Sequence, residues 1–508
     1  MRTCGILYPV FSLPSRFGIG CFSKEALEFI DFLKQSGQGA WQILPLGPTG
    51  FGDSPYQPVS VFAGNPYFIS LEDLINEGLL QWHEAEQRDF GSDPETVDYG
   101  ALYNNRYAVL KTAYERFRQR NGFLSAEYRK FSEKEAYWLD DYALFMAVKA
   151  AMKNRNWLEW DEPLKTREKA ALEKIRREEA DMIGFHKFMQ FKFMEQWDKV
   201  HRYAEKNNIR IIGDMPFYVA LDSSDVWAHP EMFLMDKKKN PSYVAGCAPD
   251  EQNKTGQLWG NPVYDWKHMA KDHYDWWMKR IRRNQELFDV IRIDHFHGFC
   301  DYYAVPYGDK TAENGKKEKG PGLAFFKEME KQLGKVDLIA EDLGTVTKEN
   351  AELLEKTAIP GMEILQYAFT SWNSIYITHR HKPDKVVYTG THDTMPTRAW
   401  VETLNEGQME FARKYINSIY TDYGTFVWDF IREAYRSVSD LCIIPLQDYL
   451  VKGAESRINT PGAAGENWKW RVLPGFLSKE LSLSIRRLSE VYGRIPEAKT
   501  ERKKEEKD

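Results

Sequence analysis

The chain has 508 residues, with 69 Lys and Arg against 75 Asp and Glu, so its formal net charge is −6. This length suits one large barrel with insertions or about two to four ordinary domains. The charge balance provides no basic surface for nucleic acid. No run of about 18 apolar residues predicts a membrane span.

The five cysteines indicate a reducing compartment. They are odd in number and form no Cys-x-x-Cys pair, which favours free thiols over a disulfide framework. The N-terminus reads Met-Arg-Thr-Cys-Gly and lacks the apolar core of a signal peptide. We therefore expect a cytoplasmic protein.

Eight short apolar runs, separated for the most part by amphipathic helical patterns, predict buried parallel strands. Strands that alternate with helices are typical of a (β/α)8 TIM barrel, so a single catalytic barrel over residues 1–508 is the predicted fold. The predicted strands are 5–10, 41–46, 209–215, 290–294, 338–341, 363–368, 386–391 and 442–446.

The intervals between some of these strands are too long for one crossover. Residues 70–190 are charged and helix-rich, which predicts an inserted helical subdomain, although a separate domain with its own function is an alternative. Residues 221–264 are rich in Pro and Gly and predict an inserted active-site loop region. Residues 307–322 predict a mobile Lys- and Gly-rich insertion. The charged tail 497–508 is expected to be disordered.

Two carboxylates at strand ends are candidates for chemistry on a glycosidic bond. Asp294 follows Arg292 by two residues, so both side chains point to one side of a strand and the cation favours an ionised nucleophile. Glu341 ends an apolar strand, where desolvation raises the pKa of a carboxyl that must donate a proton. The alternatives are a structural Arg–Asp pair and, with Asp342 facing the other way, an acidic pair that caps a helix.

Two further strand ends carry supporting candidates. Asp393 follows His392 and could hold sugar hydroxyls, but a lone His-Asp pair is a weak signal. Asp214 is expected to support the site rather than to react. His379 and His381 lack a third ligand at metal spacing and are predicted to be surface residues. No HExxH, GxSxG or P-loop motif competes with this interpretation.

Long motifs then connect the sequence to a known family. The chain resembles the 4-α-glucanotransferases of glycoside hydrolase family 77 from about residue 5 to residue 471. The motifs are Trp41-Gln-Ile-Leu-Pro-Leu-Gly-Pro-Thr-Gly50, Gly52-Asp-Ser-Pro-Tyr-Gln57, Ala63-Gly-Asn-Pro-Tyr67, Ile212-Gly-Asp-Met-Pro216, Trp227-Ala-His-Pro230, Gly256-Gln-Leu-Trp-Gly-Asn-Pro262, Arg292-Ile-Asp-His-Phe296, Ala340-Glu-Asp-Leu-Gly344, Gly390-Thr-His-Asp393, Asn459-Thr-Pro-Gly462 and Asn467-Trp468.

The resemblance implies a fold, an activity and a set of site residues. It implies a barrel of the α-amylase clan type with Asp294 as nucleophile, Glu341 as acid/base and Asp393 as transition-state stabiliser. It implies maltooligosaccharide or α-1,4-glucan donors, glucose or glucan acceptors, and no metal or organic cofactor; a monomer and a dimer fit equally well. The substrate-binding residues that it implies are Tyr56, Asp214, Trp259, Arg292, His295, His392 and Asn459.

Three segments depart from the family pattern. Ala248-Pro-Asp-Glu251-Gln252 lacks two aromatics that the family carries on the acceptor side. Thr394-Met395-Pro396 replaces Asn-Asp-Thr after Asp393, and His297 replaces an Arg. These changes leave chain-length preference, acceptor affinity and ring formation open.

The predicted mechanism is a retaining double displacement, in which the two carboxyl groups are expected to lie about 5–5.5 Å apart. A maltodextrin hydrolase of the α-amylase type is the first alternative, since it would use the same three carboxylates. A non-catalytic maltodextrin-binding protein is the second.

Overall fold

The computed structural model describes residues 2–50, 52–250, 253–344, 347–418, 422–463 and 465–496. Glu251 and Gln252 of the altered loop and the predicted disordered tail 497–508 lie outside the described residues. Within those ranges, no helix is long and apolar enough to cross a bilayer.

The strands fall into a parallel barrel and a smaller antiparallel sheet. In chain order they are β1 (Thr3–Leu7), β2 (Ala40–Gln42), β3 (Arg210–Met215), β4 (Tyr243–Cys247), β5 (Gln257–Pro262), β6 (Val290–Ile293), β7 (Asp301–Pro306), β8 (Lys316–Lys319), β9 (Leu338–Ala340), β10 (Gly361–Ile364), β11 (Lys385–Tyr388) and β12 (Leu441–Pro445).

Helices occupy most of the remaining described chain. The α-helices are α1 (Lys24–Gln35), α2 (Leu71–Asn76), α3 (Trp82–Glu86), α4 (Tyr99–Gln119), α5 (Ala126–Ala151), α6 (Glu162–Lys165), α7 (Lys169–Glu178), α8 (Ala180–Lys206), α9 (Ser224–Ala228), α10 (Trp266–Met269), α11 (Asp275–Leu287), α12 (Leu323–Leu333), α13 (Lys348–Thr357), α14 (Thr397–Glu402), α15 (Glu406–Ile416), α16 (Tyr423–Arg436), α17 (Leu446–Tyr449) and α18 (Lys479–Val491). Short 3-10 helices lie at Val10–Ser12, Pro66–Phe68, Gly122–Leu124, Trp157–Glu159, Pro230–Met232, Ala270–Asp272, Phe296–Phe299, Leu365–Thr370, Thr378–Arg380 and Ala454–Ser456.

Eight parallel strands form the barrel, in the order β10-β11-β12-β1-β2-β3-β6-β9. The Ala340 N–H donates to the Pro360 carbonyl oxygen at 2.8 Å, so the two outer strands of this order meet and nearly close the barrel. Apolar side chains from all eight strands fill its interior, as expected of strands buried on both faces. The predicted barrel is confirmed, and each predicted strand overlaps an observed one. The predicted strand 363–368 is wrong in its second half, because Leu365–Thr370 forms a 3-10 helix.

A four-stranded antiparallel sheet lies outside the barrel, in the order β5-β4-β7-β8. Strands β4 and β5 fall in the segment that the sequence suggested was an inserted loop region, and β8 falls in the segment expected to be mobile. Strand β8 was missed because Lys316–Lys319 consists of charged residues only and pairs through its backbone with β7. The β4–β5 pair brings Trp259 to the barrel mouth.

Helices α2 to α8 lie between β2 and β3, where the sequence predicts an inserted helical segment. Buried side chains of α4 and α8, such as Phe188, belong to the same apolar cluster as Ile6 and Trp41 of the barrel strands. Those of α7, such as Leu172, belong to a second cluster that includes Ile291 of β6. The division of residues 70–190 into a subdomain stays a prediction.

Candidate active site

The strand register places two acidic residues next to each other at the barrel mouth. Ile293 of β6 pairs with Ala340 of β9, so Asp294 and Glu341 are the next residues on neighbouring strands. Both line an open central cleft of about 1980 Å³, which includes the solvent at its mouth. The Asp294 side chain keeps 29% of its surface exposed, so a ligand in the cleft can reach its carboxyl group.

A buried ion-pair network supports Asp294 from below. Nη1 of Arg292 donates to both carboxylate oxygens of Asp214, at 2.8 and 2.6 Å, and contacts Oδ1 of Asp294 at 3.3 Å. Arg292 and Asp214 are each only 2% exposed. Because the guanidinium is fixed by one carboxylate, it holds a positive charge directly behind the other.

The backbone around Glu341 fixes the position of its side chain. The His295 N–H donates to Oε2 of Glu341 at 2.8 Å, and the Leu343 N–H donates to Oε1 at 3.1 Å. His295 has a φ of 49°, a left-handed turn that follows directly after Asp294. The segment that carries one carboxylate therefore also orients the other.

The two carboxyl groups have different ionisation tendencies. Burial, and then the negative charge of Asp294, raise the pKa of Glu341 to about 7. Burial also raises the pKa of Asp294, to about 6, but the Arg292 guanidinium opposes the rise. The pair is thus arranged so that Asp294 loses its proton before Glu341 does.

A third carboxylate, Asp393, lines the same cleft. Oδ1 of Asp393 accepts from Nδ2 of Asn459 at 2.6 Å, and its Oδ2 lies 3.2 Å from Nε2 of His392. Burial alone would raise the pKa of Asp393, but the His392 charge and these hydrogen bonds lower it to about 2. Asp393 is therefore ionised at neutral pH.

Tyr56 connects this carboxylate to the buried network. Its hydroxyl lies 2.8 Å from both Oδ2 of Asp214 and Nε2 of His392, and its ring stacks on His392 with centroids 5.2 Å apart. The Asp393 side is thus linked through His392, Tyr56 and Asp214 to Arg292 and Asp294.

The predicted site residues occupy two layers. The cleft is lined by Tyr56, Trp259, Asp294, His295, Glu341, His392, Asp393 and Asn459. Asp214 and Arg292 do not line it but lie beneath its floor, so they reach a bound sugar only through their neighbours. The sequence places them correctly on the strands but gives no sign of this depth.

Several cleft residues were not singled out from the sequence. Gln57 and Asn261 exchange side-chain hydrogen bonds of 3.0 Å in both directions, and Trp468 packs its ring 5.6 Å from that of Tyr56. All three lie within motifs of the family, which is the signal that could have found them. Arg457 does not line the cleft but donates to the Asp393 carbonyl oxygen at 3.2 Å, and it lies outside the family motifs.

Two local predictions are corrected by the structure. Asp342 does face away from the cleft, but it caps none of the described helices, and the next of these is capped by Thr347. Its carboxylate accepts from the Met362 N–H and from Nζ of Lys385, both at 2.7 Å. His379 is exposed, whereas His381 is 7% exposed and bonds the Ser437 hydroxyl and the Tyr376 carbonyl oxygen, each at 2.8 Å.

Of the altered residues that the structure describes near the site, Thr394 forms a local hydrogen bond that the His297 ring lacks. The Thr391 N–H donates to Oγ1 of Thr394 at 3.0 Å, which closes the turn that carries Asp393. His297 is 8% exposed, and neither ring nitrogen has a hydrogen-bond partner among the described residues.

A (β/α)8 barrel with three carboxylates at its strand ends and aromatic side chains around an open cleft defines a protein of the glycoside-active barrel class. A family model described as 4-alpha-glucanotransferase, glycoside hydrolase family 77, matches residues 8–476. The chain therefore belongs to the 4-alpha-glucanotransferase family, which confirms the resemblance drawn from its motifs.

Relatives with curated names match nearly the whole chain. The 4-alpha-glucanotransferase of Clostridium butyricum is 43% identical over 488 residues, which cover 96% of this chain and 99% of that protein. The 4-alpha-glucanotransferase of Thermus thermophilus is 41% identical over 505 residues, which cover 97% and 99% of the two chains.

Solved structures agree with the sequence matches. The amylomaltase from Streptococcus agalactiae in complex with acarbose has a TM-score of 0.94 and 37% identity, covering 98% of this chain and 100% of that one. The amylomaltase from Corynebacterium glutamicum has a TM-score of 0.76 at 20% identity, covering 97% and 74% of the chains, and this shows the shared fold alone.

Proposed function

We propose that this protein is a 4-alpha-glucanotransferase that moves α-1,4-glucan segments from a donor maltooligosaccharide to the 4-hydroxyl of an acceptor glucan or glucose. Family membership carries the assignment of transfer over hydrolysis. The adjacent pair Asp294 and Glu341, with a guanidinium behind the first and two backbone amides on the second, supports the double-displacement mechanism.

In the first half-reaction, Asp294 is the nucleophile. Its carboxylate oxygen attacks the anomeric carbon and forms a covalent glycosyl ester, while the bond from that carbon to the leaving oxygen breaks. Glu341 is protonated and gives its proton to the leaving oxygen, so a sugar hydroxyl departs. The raised pKa of Glu341 supports this role, because burial and the Asp294 charge keep it protonated.

In the second half-reaction, Glu341 acts as the base. It removes the proton from the acceptor 4-hydroxyl, whose oxygen attacks the anomeric carbon and releases Asp294. Two inversions preserve the α configuration. Water competes with the acceptor at this step, so transfer depends on cleft walls that bind sugar and exclude water.

Asp393 and its partners stabilise the sugar ring in the transition state. An ionised carboxylate beside a developing oxocarbenium ion lowers the barrier, and the low pKa of Asp393 supports this role. The remaining cleft residues, Tyr56, Trp259, His295, His392 and Asn459, bind the sugar directly. Asp214 and Arg292 act from below by fixing Asp294.

Incubation of the enzyme with maltotriose alone tests the proposed activity. We expect glucose and a ladder of longer oligomers, with the total number of reducing ends constant. A rise in reducing ends without longer products would mean that water is the acceptor and that the enzyme is a hydrolase. No change in either quantity, with longer donors as well, would leave only a binding function.

A second experiment separates the roles of the two carboxylates. Fluoride leaves without protonation, so α-maltosyl fluoride bypasses the acid in the first step. We expect Glu341→Gln to lose about 10²- to 10⁴-fold on maltotriose but to release fluoride in a burst. Asp294→Asn is expected to release no fluoride. Near wild-type activity in that variant would show that Asp294 is not the nucleophile.

The cysteine thiols indicate where in the cell the protein works. All five cysteines are free in the structure, which supports a reducing compartment. We propose the cytoplasm, and fractionation of the source cells with a marker enzyme would test this.

A further inference from the structure

Arg457 bonds two residues of the cleft but does not line the cleft itself. Its Nε donates to the Asn459 carbonyl oxygen at 2.8 Å, and its Nη2 donates to the Asp393 carbonyl oxygen at 3.2 Å. Asn459 and Asp393 both line the cleft, whereas Arg457 does not. The guanidinium therefore reaches a bound sugar only through these two neighbours.

The two residues that Arg457 bonds are also bonded to each other. Nδ2 of Asn459 donates to Oδ1 of Asp393 at 2.6 Å, and the Asn459 N–H donates to the His392 carbonyl oxygen at 3.0 Å. Together with the bond from Arg457 to Asp393, these bonds join residues 457–459 to the turn after β11. The direction of the Asp393 carboxylate thus depends on Asn459, whose own carbonyl group is held by Arg457.

The backbone on both sides of Arg457 is fixed in the fold. The carbonyl oxygen of Ser456, a fully buried residue, accepts from Nε2 of Gln447 at 3.2 Å. Ile458 is 1% exposed, and its carbonyl oxygen accepts from the Trp468 N–H at 2.7 Å. A long side chain that starts from such a backbone loses less conformational entropy when it forms its own bonds.

The contact uses the geometry of a guanidinium. Nε and Nη2 belong to one rigid plane, so their two acceptors are held at a fixed separation. A lysine ammonium is a single point that cannot reproduce this fork, and a methionine has no donor at all. Arg457 therefore fixes the backbone of Asn459 relative to that of Asp393.

The charge of the guanidinium acts in the same direction. Burial lowers the pKa of Arg457, and the negative charge of Asp393 opposes that change. The two groups therefore share one electrostatic environment. A positive charge near Asp393 favours the ionised form of its carboxyl group, as the His392 charge also does.

We propose that Arg457 is a positioning residue for the transfer reaction, which acts through Asn459 and the turn at Asp393 to direct the Asp393 carboxylate at the sugar ring in the transition state. The proposal rests on the proposed function, in which Asp393 stabilises the developing oxocarbenium ion. A misplacement of about 1 Å in such a group can cost about 10²-fold in rate.

Steady-state kinetics of Arg457→Met on maltotriose test the proposal. We expect kcat to fall about 10- to 100-fold while KM stays within about threefold, because the contact improves the transition state and not the bound ground state. Asp393 serves an acceptor sugar and water alike. The ratio of longer oligomers to new reducing ends is therefore expected to stay within about twofold of the wild-type ratio.

The activated donor α-maltosyl fluoride separates this role from that of the acid. Formation of the glycosyl ester passes through a charged transition state with either donor, so Arg457→Met is expected to slow the release of fluoride by a factor similar to its loss on maltotriose. Glu341→Gln, in contrast, is expected to keep the fluoride burst.

Two further variants serve as controls. Arg457→Lys keeps the charge but not the fork, and its kcat is expected to lie between those of Arg457→Met and the wild type. Arg398→Met is the matched control, since Arg398 on α14 also donates to a backbone carbonyl oxygen, that of Val451 at 3.4 Å, but lies outside the cleft. Its kcat is expected to equal that of the wild type.

Two results would overturn the proposal. A kcat of Arg457→Met equal to that of the Arg398→Met control would show that Asp393 needs no support from Arg457. A higher KM or a changed oligomer ratio at unchanged kcat would show that Arg457 shapes sugar binding. If Arg457→Met does not fold, a wild-type kcat in Arg457→Lys would overturn the role of the fork.

Failure of the proposed function itself has a different signature. The wild-type enzyme would then form no oligomer ladder from maltotriose, whatever the effect of Arg457→Met on fluoride release.

Discussion

At the scale of single residues, the surroundings of each carboxyl group determine its role. Asp294 has a cation behind it, Glu341 has a carboxylate beside it, and Asp393 has an imidazole and an amide on its two oxygens. Three acidic side chains in one cleft can therefore stay in different protonation states. The differences between their pKa values follow from these contacts, since burial raises the pKa of all three carboxyl groups.

This arrangement predicts a bell-shaped pH dependence of kcat/KM on maltotriose. The active form has Asp294 ionised, so activity is lost as pH falls through its pKa of about 6. It also has Glu341 protonated, so activity is lost as pH rises through its pKa of about 7. Initial rates of glucose release between about pH 4 and 9 would measure both limbs.

The control for the alkaline limb is the same profile with α-maltosyl fluoride. Because fluoride needs no acid, the first half-reaction is expected to keep its activity above neutral pH. An alkaline limb that is unchanged for fluoride release would contradict the assignment of that limb to Glu341.

At the scale of the elements, the barrel is closed by side chains as well as by strand pairing. Between β9 and β10 one backbone bond joins Ala340 to Pro360. Asp342, directly after this junction, bonds the Met362 amide of β10 and the Lys385 ammonium of β11. A single buried carboxylate thus joins three consecutive strands where backbone pairing is sparse.

Asp342→Asn is therefore expected to lower the free energy of unfolding by about 1–3 kcal/mol. Asp342 is 8% exposed, and an amide N–H in place of an oxygen would face the Lys385 ammonium, which is also a donor. Denaturant titration would measure the loss, and Lys385→Met, made alone and together with Asp342→Asn, would complete a double-mutant cycle. Additive losses would show that the two side chains do not stabilise each other.

At the scale of the whole molecule, segments far apart in the sequence build the cleft over the barrel. The wall residues Tyr56, Trp259 and Trp468 come from the loop after β2, from the antiparallel sheet and from the chain after β12. The edge of the Trp259 ring lies against His295, with centroids 5.0 Å apart, and its Nε1 donates to Gln257 at 3.1 Å. The antiparallel sheet thereby places an indole beside the Asp294–His295 turn.

Trp259→Ala is expected to reduce transfer about three- to tenfold relative to hydrolysis, because an acceptor sugar loses an aromatic face while water does not. The measurement is the ratio of longer oligomers to new reducing ends from maltotriose. Trp82→Ala, which changes an exposed indole on α3 outside the cleft, is the control. An unchanged ratio in Trp259→Ala would exclude Trp259 from acceptor binding.

The sequence by itself determined the barrel and the strand ends that carry the reacting groups. A buried parallel strand needs a continuous apolar run, and Val290-Ile-Arg-Ile-Asp294 and Leu338-Ile-Ala-Glu341 contain both the run and the terminal carboxylate. Because these features lie within a few residues of each other, they can be read without knowledge of any long-range contact. The family motifs identified the supporting residues for the same reason, because each motif is a short continuous segment.

Only the tertiary structure decided which groups are buried together. Asp214 and Arg292 lie below the cleft because β3 and β6 pair in one register, and His381 is buried because it packs against Ser437 from a distant segment. Strand β8 forms from four charged residues because β7 supplies its backbone partners. These outcomes depend on contacts between residues far apart in the chain, and local sequence patterns carry no record of such contacts.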